Sequence, residues 1–308
     1  MTNTLQFPKD LTSADNKSLA RIISIIENES GGYEEILHSV KPDQAIPVIG
    51  ITGAPGAGKS SLINALLKEL TANEKKYLKG RGIAVLAIDP TSPFSHGALL
   101  GDRLRMSEHF NHPKVFIRSL ATRGSLGGLS AKTMEVTDLL RAAGFDYIFI
   151  ETVGVGQSEV EIASLAETTI VVFVPESGDE VQTIKAGIME IADIFVVNKA
   201  DREGADRIIK NIKSSLHLRA QSDWEIPVIK TIATQTEGVL QLLKKINEHH
   251  QFPQKQKNKQ LIFEKAWRLM RDYKMKEVDK DDLKIKLEEA QKKKDFNLYA
   301  FVKDFFDT

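Results

Sequence analysis

Between Pro47 and Ile232, short runs of β-branched and aliphatic residues alternate with segments of helical period, and no other feature constrains the chain as strongly. Such an alternation folds as a sheet wrapped by helices. The expected strands are Val48–Thr52, Ile83–Asp89, Val115–Arg118, Tyr147–Glu151, Thr169–Val174, Ile194–Asn198 and Val228–Ile232. Several are apolar throughout, Ile83 to Ile88 and Ile170 to Val174 among them. A strand covered on both faces has this composition, because it has no solvent side on which to place polar residues. The pattern predicts an α/β domain over residues 47–250 with a mostly parallel central sheet flanked by helices.

The flanks are helical in pattern. In the segment 1–46, Leu19, Ile22, Ile23, Ile25 and Ile26 give an amphipathic helix over Ser18–Asn28 that packs on the domain. A polar, Lys/Gln-rich stretch, Gln251–Gln260, interrupts the apolar period and is expected to mark a boundary. Beyond it, residues 251–308 form a helical extension with helices expected at Leu261–Met275, Asp282–Lys294 and Asn297–Phe306. A unit of that size makes a poor core alone. It is expected to pack on the main domain or on a second copy of itself.

The first strand runs into Gly53-Ala54-Pro55-Gly56-Ala57-Gly58-Lys59-Ser60, which matches G-x-x-x-x-G-K-[ST] between a strand and a helix. Glycines let the backbone turn its N–H groups inward, and with the following helix N-terminus they form an anion nest. Lys59 is expected to reach the β- and γ-phosphates. Ser60 is expected to ligate Mg²⁺, and Ser61 opens the helix that continues through Leu62, Ile63, Leu66 and Leu67. This is the phosphate loop of a P-loop NTPase.

A second motif, Asn198-Lys199-Ala200-Asp201, follows the strand at Ile194. Guanine presents N1–H and an exocyclic amine side by side, and one carboxylate, Asp201, accepts from both. Asn198 would brace the loop and Lys199 would cover the ring. After the next strand, the backbone N–H groups of Ile232 and Ala233 are placed to meet guanine O6. The bound nucleotide is therefore expected to be GTP or GDP.

Carboxylates end further strands at the edge where α/β sheets bind ligands: Asp89 and Glu151, with Asp102 in the loop Leu100–Met106. The three compete for Mg²⁺, with Asp89 and Glu151 ranked first and Asp102 as a metal or water-positioning residue. Glu151-Thr-Val-Gly154 takes the place of the usual D-x-x-G. Val155 then stands where many GTPases carry a water-orienting glutamine, and Gln157 lies two places later. The candidate catalytic set is Lys59, Asp102, Glu151 and Gln157, with slow intrinsic hydrolysis of GTP to be completed by a partner or dimer contact.

Composition removes other classes. Lys plus Arg and Asp plus Glu both total 42, so no net field draws the chain to nucleic acid or an anionic membrane. There is no cysteine, hence no disulfide and no thiolate metal site. No segment has the length and apolarity of a membrane span, and Met1–Asp15 lacks a signal-peptide core. A cytoplasmic protein is expected.

As an ordered set the motifs resemble the methylmalonyl-CoA mutase-associated GTPases of the MeaB/ArgK type, among the metallocentre-assembly P-loop GTPases. The resemblance rests on the segments Ala87–Ser92, Gly101–Met106, Glu151–Glu159 and Gly178–Asp193. It implies a homodimeric chaperone that docks on an adenosylcobalamin-dependent acyl-CoA mutase, most of all methylmalonyl-CoA mutase. There it would gate cofactor loading by GTP hydrolysis and protect the mutase from inactivation. It also implies switches at Pro90–Gly101, Thr152–Glu159 and Pro175–Lys185. Two alternatives share the phosphate loop. A nickel- or cobalt-inserting GTPase would need a metal cluster, for which seven scattered histidines offer no pattern. A small-molecule kinase would use a lid built on arginines such as Arg103, Arg105, Arg118 and Arg123, and would not need the Asn198 motif.

Overall fold

The computed structural model describes residues 11–13, 15–89, 106–122, 132–154, 161–177, 186–217, 223–253, 255–292 and 296–307. Seven strands form one sheet in the order β3-β2-β4-β1-β5-β6-β7, and every pair is parallel. They are β1 (Val48–Thr52), β2 (Ile83–Asp89), β3 (Val115–Ala121), β4 (Tyr147–Glu151), β5 (Thr168–Phe173), β6 (Ile194–Val197) and β7 (Val228–Lys230). Parallel strands need crossovers, and the described helices supply most of them. The helices here are α1 (Asn16–Glu27) and α2 (Tyr33–Ser39) ahead of β1, then α3 (Lys59–Ala72), α4 (Glu74–Tyr77), α5 (Thr133–Ala142), α6 (Ala186–Ile191) and α7 (Ala205–Leu216) between strands, and α8 (Val239–Gln251) after β7.

Alternation along each strand sorts side chains between two faces. Ile49 and Ile51 of β1, Val85 and Ala87 of β2 and Phe149 of β4 pack with Leu62, Leu66 and Leu67 of α3 and Leu242 and Ile246 of α8. Val48, Ala84, Leu86, Ile148 and Ile150 pack instead with Leu19, Ile23 and Ile26 of α1 and Val136 and Leu139 of α5. Beside them, Val171, Phe195 and Val197 bury Ile208 and Ile212 of α7. In phase with this pattern, Asp89 and Glu151 fall on the α3 face, whereas Thr52 and Thr152 fall on the α1 face.

Helix α1 starts where Asp15 accepts a hydrogen bond from the Ser18 N–H at 2.6 Å. It joins the main core rather than standing apart. Strands β5 and β6 differ from their expected bounds by one residue, and two strand ends differ by more. Strand β3 runs on to Ala121 because all seven of its residues pair with β2, Ile83↔Val115 through Asp89↔Ala121. Strand β7 stops at Lys230 because Ile232 leaves to form an antiparallel bridge with Glu237.

Contacts divide the chain into units of residues 1–257 and 258–308. Within the second, most of α9 (Lys255–Met275) is followed by α10 (Lys280–Ala290) and α11 (Leu298–Asp307). Helix α9 begins inside the polar stretch, since Lys and Gln are good helix formers that need no apolar period. Asp279 caps α10 by accepting from the Asp281 and Asp282 N–H groups at 2.8 and 3.3 Å. Phe296, Phe301, Phe305 and Phe306 form a chain of ring contacts, with centroids 5.8–6.4 Å apart.

Candidate nucleotide site

The site lies at the carboxyl edge of the sheet, where β1 turns into α3. The loop Gly53–Gly58 is closed by the Ala57 N–H donating to the Ala54 carbonyl at 3.2 Å. Pro55 and Gly56 are exposed, Ala54 and Gly58 half-buried, and Gly53 and Ala57 buried. Lys59 is buried and donates through Nζ to the carbonyls of Gly53 at 2.8 Å and Ala54 at 3.1 Å. Its ammonium is thus held across the mouth of the loop. Ser61 follows, half-buried, on the first turn of α3.

Ser60 donates through Oγ to Glu151 Oε1 at 2.6 Å, joining the helix start to the end of β4. Asp89, buried like Glu151, ends the adjacent strand on the same face. The donor set is a hydroxyl and two carboxylates, all hard oxygen, which suits Mg²⁺. Among the described residues there is no group of three or more His, Cys, Asp or Glu placed to hold a metal. Mg²⁺ does not require one, since it takes one or two carboxylates and completes its shell with water and phosphate oxygens. Asp102 and Gln157 lie outside the described residues.

Gly154 touches the same loop. It has φ +83°, and a Cβ built there would lie 2.3 Å from the Gly53 carbonyl oxygen and 2.5 Å from Lys59 Nζ. Only glycine brings the chain after β4 this close to the lysine. Just before it, Thr152 is bound to β1 twice: its N–H donates to the Ile51 carbonyl at 3.1 Å and its Oγ1 to Thr52 Oγ1 at 2.9 Å.

The second motif sits next door. Asn198 is buried, and its Nδ2 donates to the Ala57 carbonyl at 3.0 Å. Its Oδ1 accepts from Thr231 Oγ1 and from the Ala233 N–H, both at 3.1 Å. Gly58 makes room for this amide, because a Cβ there would lie 2.4 Å from Asn198 Nδ2. Lys199 has φ +54°, the left-handed region that few non-glycine residues occupy and that clusters at binding sites. Asp201 is exposed, and Arg202 beside it pairs with Glu176 after β5.

The structure brings Lys59, Ser60, Glu151 and Asp89 to one strand edge, and couples Asn198 to both the phosphate loop and the loop after β7. The donors expected to face guanine O6 are engaged inside the protein: Ile232 N–H with the Glu237 carbonyl at 3.1 Å, and Ala233 N–H with Asn198. Either would have to exchange that bond to contact a base. The Thr52–Thr152 pair and the Arg202–Glu176 pair escape the sequence reading. Neither forms a motif, and only strand register and loop packing bring their members together.

A parallel sheet whose first strand feeds a glycine-rich loop and a helix that opens on Lys59 and Ser60 defines a P-loop nucleotide-binding protein. The chain belongs to the family described as methylmalonyl Co-A mutase-associated GTPase MeaB, whose model matches residues 19–291. It is a GTPase. A Pyrococcus abyssi protein named "Putative GTPase" is 49% identical over 247 residues, 79% of this chain and 74% of that protein. A fused isobutyryl-CoA mutase of Geobacillus kaustophilus is 37% identical over 238 residues, which are 73% of this chain and 22% of the mutase. The crystal structure of an LAO/AO transport system kinase shares the fold, with TM-score 0.70 and 22% identity over 97% of this chain and 95% of that one. Among the described residues, no helix is long and apolar enough to cross a membrane.

Proposed function

We propose that this GTPase is a nucleotide-timed chaperone of an adenosylcobalamin-dependent acyl-CoA mutase, with methylmalonyl-CoA mutase the first candidate. The observation that carries the reading is the relative in which a segment like this chain is part of a protein named a fused isobutyryl-CoA mutase. A domain joined covalently to a mutase in one protein can act on a separate mutase in another. The family description, mutase-associated, supports the same reading.

In this reading the loop Gly53–Gly58 cradles the phosphates and Lys59 bridges β and γ. Ser60 would ligate Mg²⁺, with Glu151 and Asp89 directly or through water, and the ion would offset charge on the phosphate oxygens. Glu151 holds the Ser60 hydroxyl in place beforehand. Asp201 selects guanine, Lys199 covers the base, and Asn198 keeps the base loop and the phosphate loop in one register. Asp102 and Gln157 are the candidates for positioning water. Cofactor loading and protection of the mutase would follow from the nucleotide state.

A dimer is part of the proposal. Phe263, Trp267 and Met270 of α9 are spaced on one helical stripe, and all are largely exposed, Trp267 at 60%. The test of the whole reading is capture of partners by the chain locked with a non-hydrolysable GTP analogue, in extract of its own cells. Recovery of an acyl-CoA mutase, lost on exchange to GDP, is the expected result. A capture without any such mutase would overturn it.

A further inference from the structure

We propose that Thr52 and Thr152 are positioning residues for GTP hydrolysis, holding the chain after β4 against the phosphate loop through a buried hydroxyl pair. Both side chains are buried, and Thr152 Oγ1 donates to Thr52 Oγ1 at 2.9 Å. The pair lies on the α1 face of the sheet, opposite Ser60 and Glu151, so it belongs to neither the metal donors nor the phosphate donors. Its members nevertheless flank both. Thr52 is the residue before Gly53, and Thr152 is the residue after Glu151 and two before Gly154.

The consequence is geometric. Gly154 has almost no clearance: an added Cβ would be 2.3 Å from the Gly53 carbonyl and 2.5 Å from Lys59 Nζ. What sets that spacing is the link between the two strand ends. One part is backbone, the Thr152 N–H donating to the Ile51 carbonyl at 3.1 Å. The other part is the hydroxyl bridge, which on the α1 face ties the residue leading into Gly53 to the stretch leading into Gly154. A hydrogen bond fixes distance and direction together, and a displacement of about 1 Å near reacting groups costs up to about 100-fold in rate.

The same strand holds the far side of this segment. Gly50 of β1 seats Ile162, since a Cβ on Gly50 would lie 2.4 Å from Ile162 Cγ1. Strand β1 therefore carries the phosphate loop at its end and anchors the chain on both sides of 155–160. A packing role alone would be served equally by valine, which is isosteric with threonine. The hydroxyls are what valine lacks, and buried hydroxyls persist where they are paired.

The test uses the full-length chain with Thr152→Val, Thr52→Val, the double variant, and Thr152→Ser as the conservative control. Single-turnover GTP hydrolysis and GTP affinity are measured on each, with thermal unfolding in GDP. The expected result is hydrolysis slowed about 10- to 100-fold with affinity within about threefold of wild type. The double variant should be no slower than the slower single one, as for two ends of one bond, and Thr152→Ser should recover most of the rate. Hydrolysis at the wild-type rate in Thr152→Val overturns the proposal. So does a slow Thr152→Ser, or losses that multiply in the double variant. The inference rests on the phosphate-site reading, which fails separately: Lys59→Ala that still bound GTP normally would sink that reading and leave the threonine series to be judged on its own rates.

Discussion

Asn198 donates to the Ala57 carbonyl across 141 residues of sequence, at 3.0 Å, and so ties the loop that follows β6 to the loop that follows β1. The same amide accepts from Thr231 and Ala233 through its oxygen. Three loops meet on one side chain. Asn198→Ala would leave the buried Ala57 carbonyl and the Ala233 N–H without these partners, at about 1–3 kcal/mol for each group that water cannot reach. The expected outcome is a lower unfolding temperature together with GTP and GDP affinity reduced at least about tenfold. Calorimetry of nucleotide binding checks it, and an unchanged affinity would separate the base loop from the phosphate loop.

Asp201 is exposed at the rim while Lys199 beside it holds a left-handed backbone. That geometry leaves the carboxylate available for the paired donors of guanine. Asp201→Asn exchanges one acceptor for a donor, which matches xanthine rather than guanine. The variant should prefer xanthosine triphosphate over GTP in competition, and GTP selectivity equal to wild type would show that another group reads the base.

Much of the sheet is legible in the amino-acid sequence. Strands β1, β2 and β4 have the bounds expected from their apolar runs, because burial on both faces imposes a composition that a sequence displays directly. Strand β7 is shorter than its β-branched run suggests, since Thr231 and Ile232 serve the Asn198 hub and a bridge to Glu237. The start of α9 has no apolar period to mark it, because its first residues, Lys255 to Gln260, are all polar in sequence. The Thr52–Thr152 bond had no signal at all: two threonines a hundred residues apart become neighbours only when β1 and β4 pair in register, Ile51 against Glu151.

His109 gives the fold a pH dependence. It is buried beside Asn64 of α3, and that burial holds its imidazole below the usual histidine value of 6.5. Glu108 and the Asn64 backbone favour the proton, while His112 and Lys68 oppose it. The neutral ring is the form the fold accepts, so the unfolded chain binds a proton more readily. Stability from this site is complete above about pH 6.5 and is lost as the pH falls through the lower folded value. Unfolding temperatures between pH 7.5 and 5 should fall more steeply for the wild type than for His109→Gln, and parallel curves would contradict this.

The C-terminal unit carries the last prediction. Along α9, Phe263, Trp267 and Met270 recur at spacings of four and three, and Tyr273 continues the row at 67% exposure. Burying such a row would remove several aromatic and aliphatic side chains from water, each worth about 1.5–3 kcal/mol when fully covered. Placing one charge at its centre reverses that gain, because an unpaired carboxylate resists burial. Light scattering should therefore find the wild type dimeric at micromolar concentration and Trp267→Glu monomeric, with GTP affinity unchanged because none of the residues assigned to the nucleotide is altered. A monomeric wild type would remove the dimer from the proposal while leaving the GTPase itself intact.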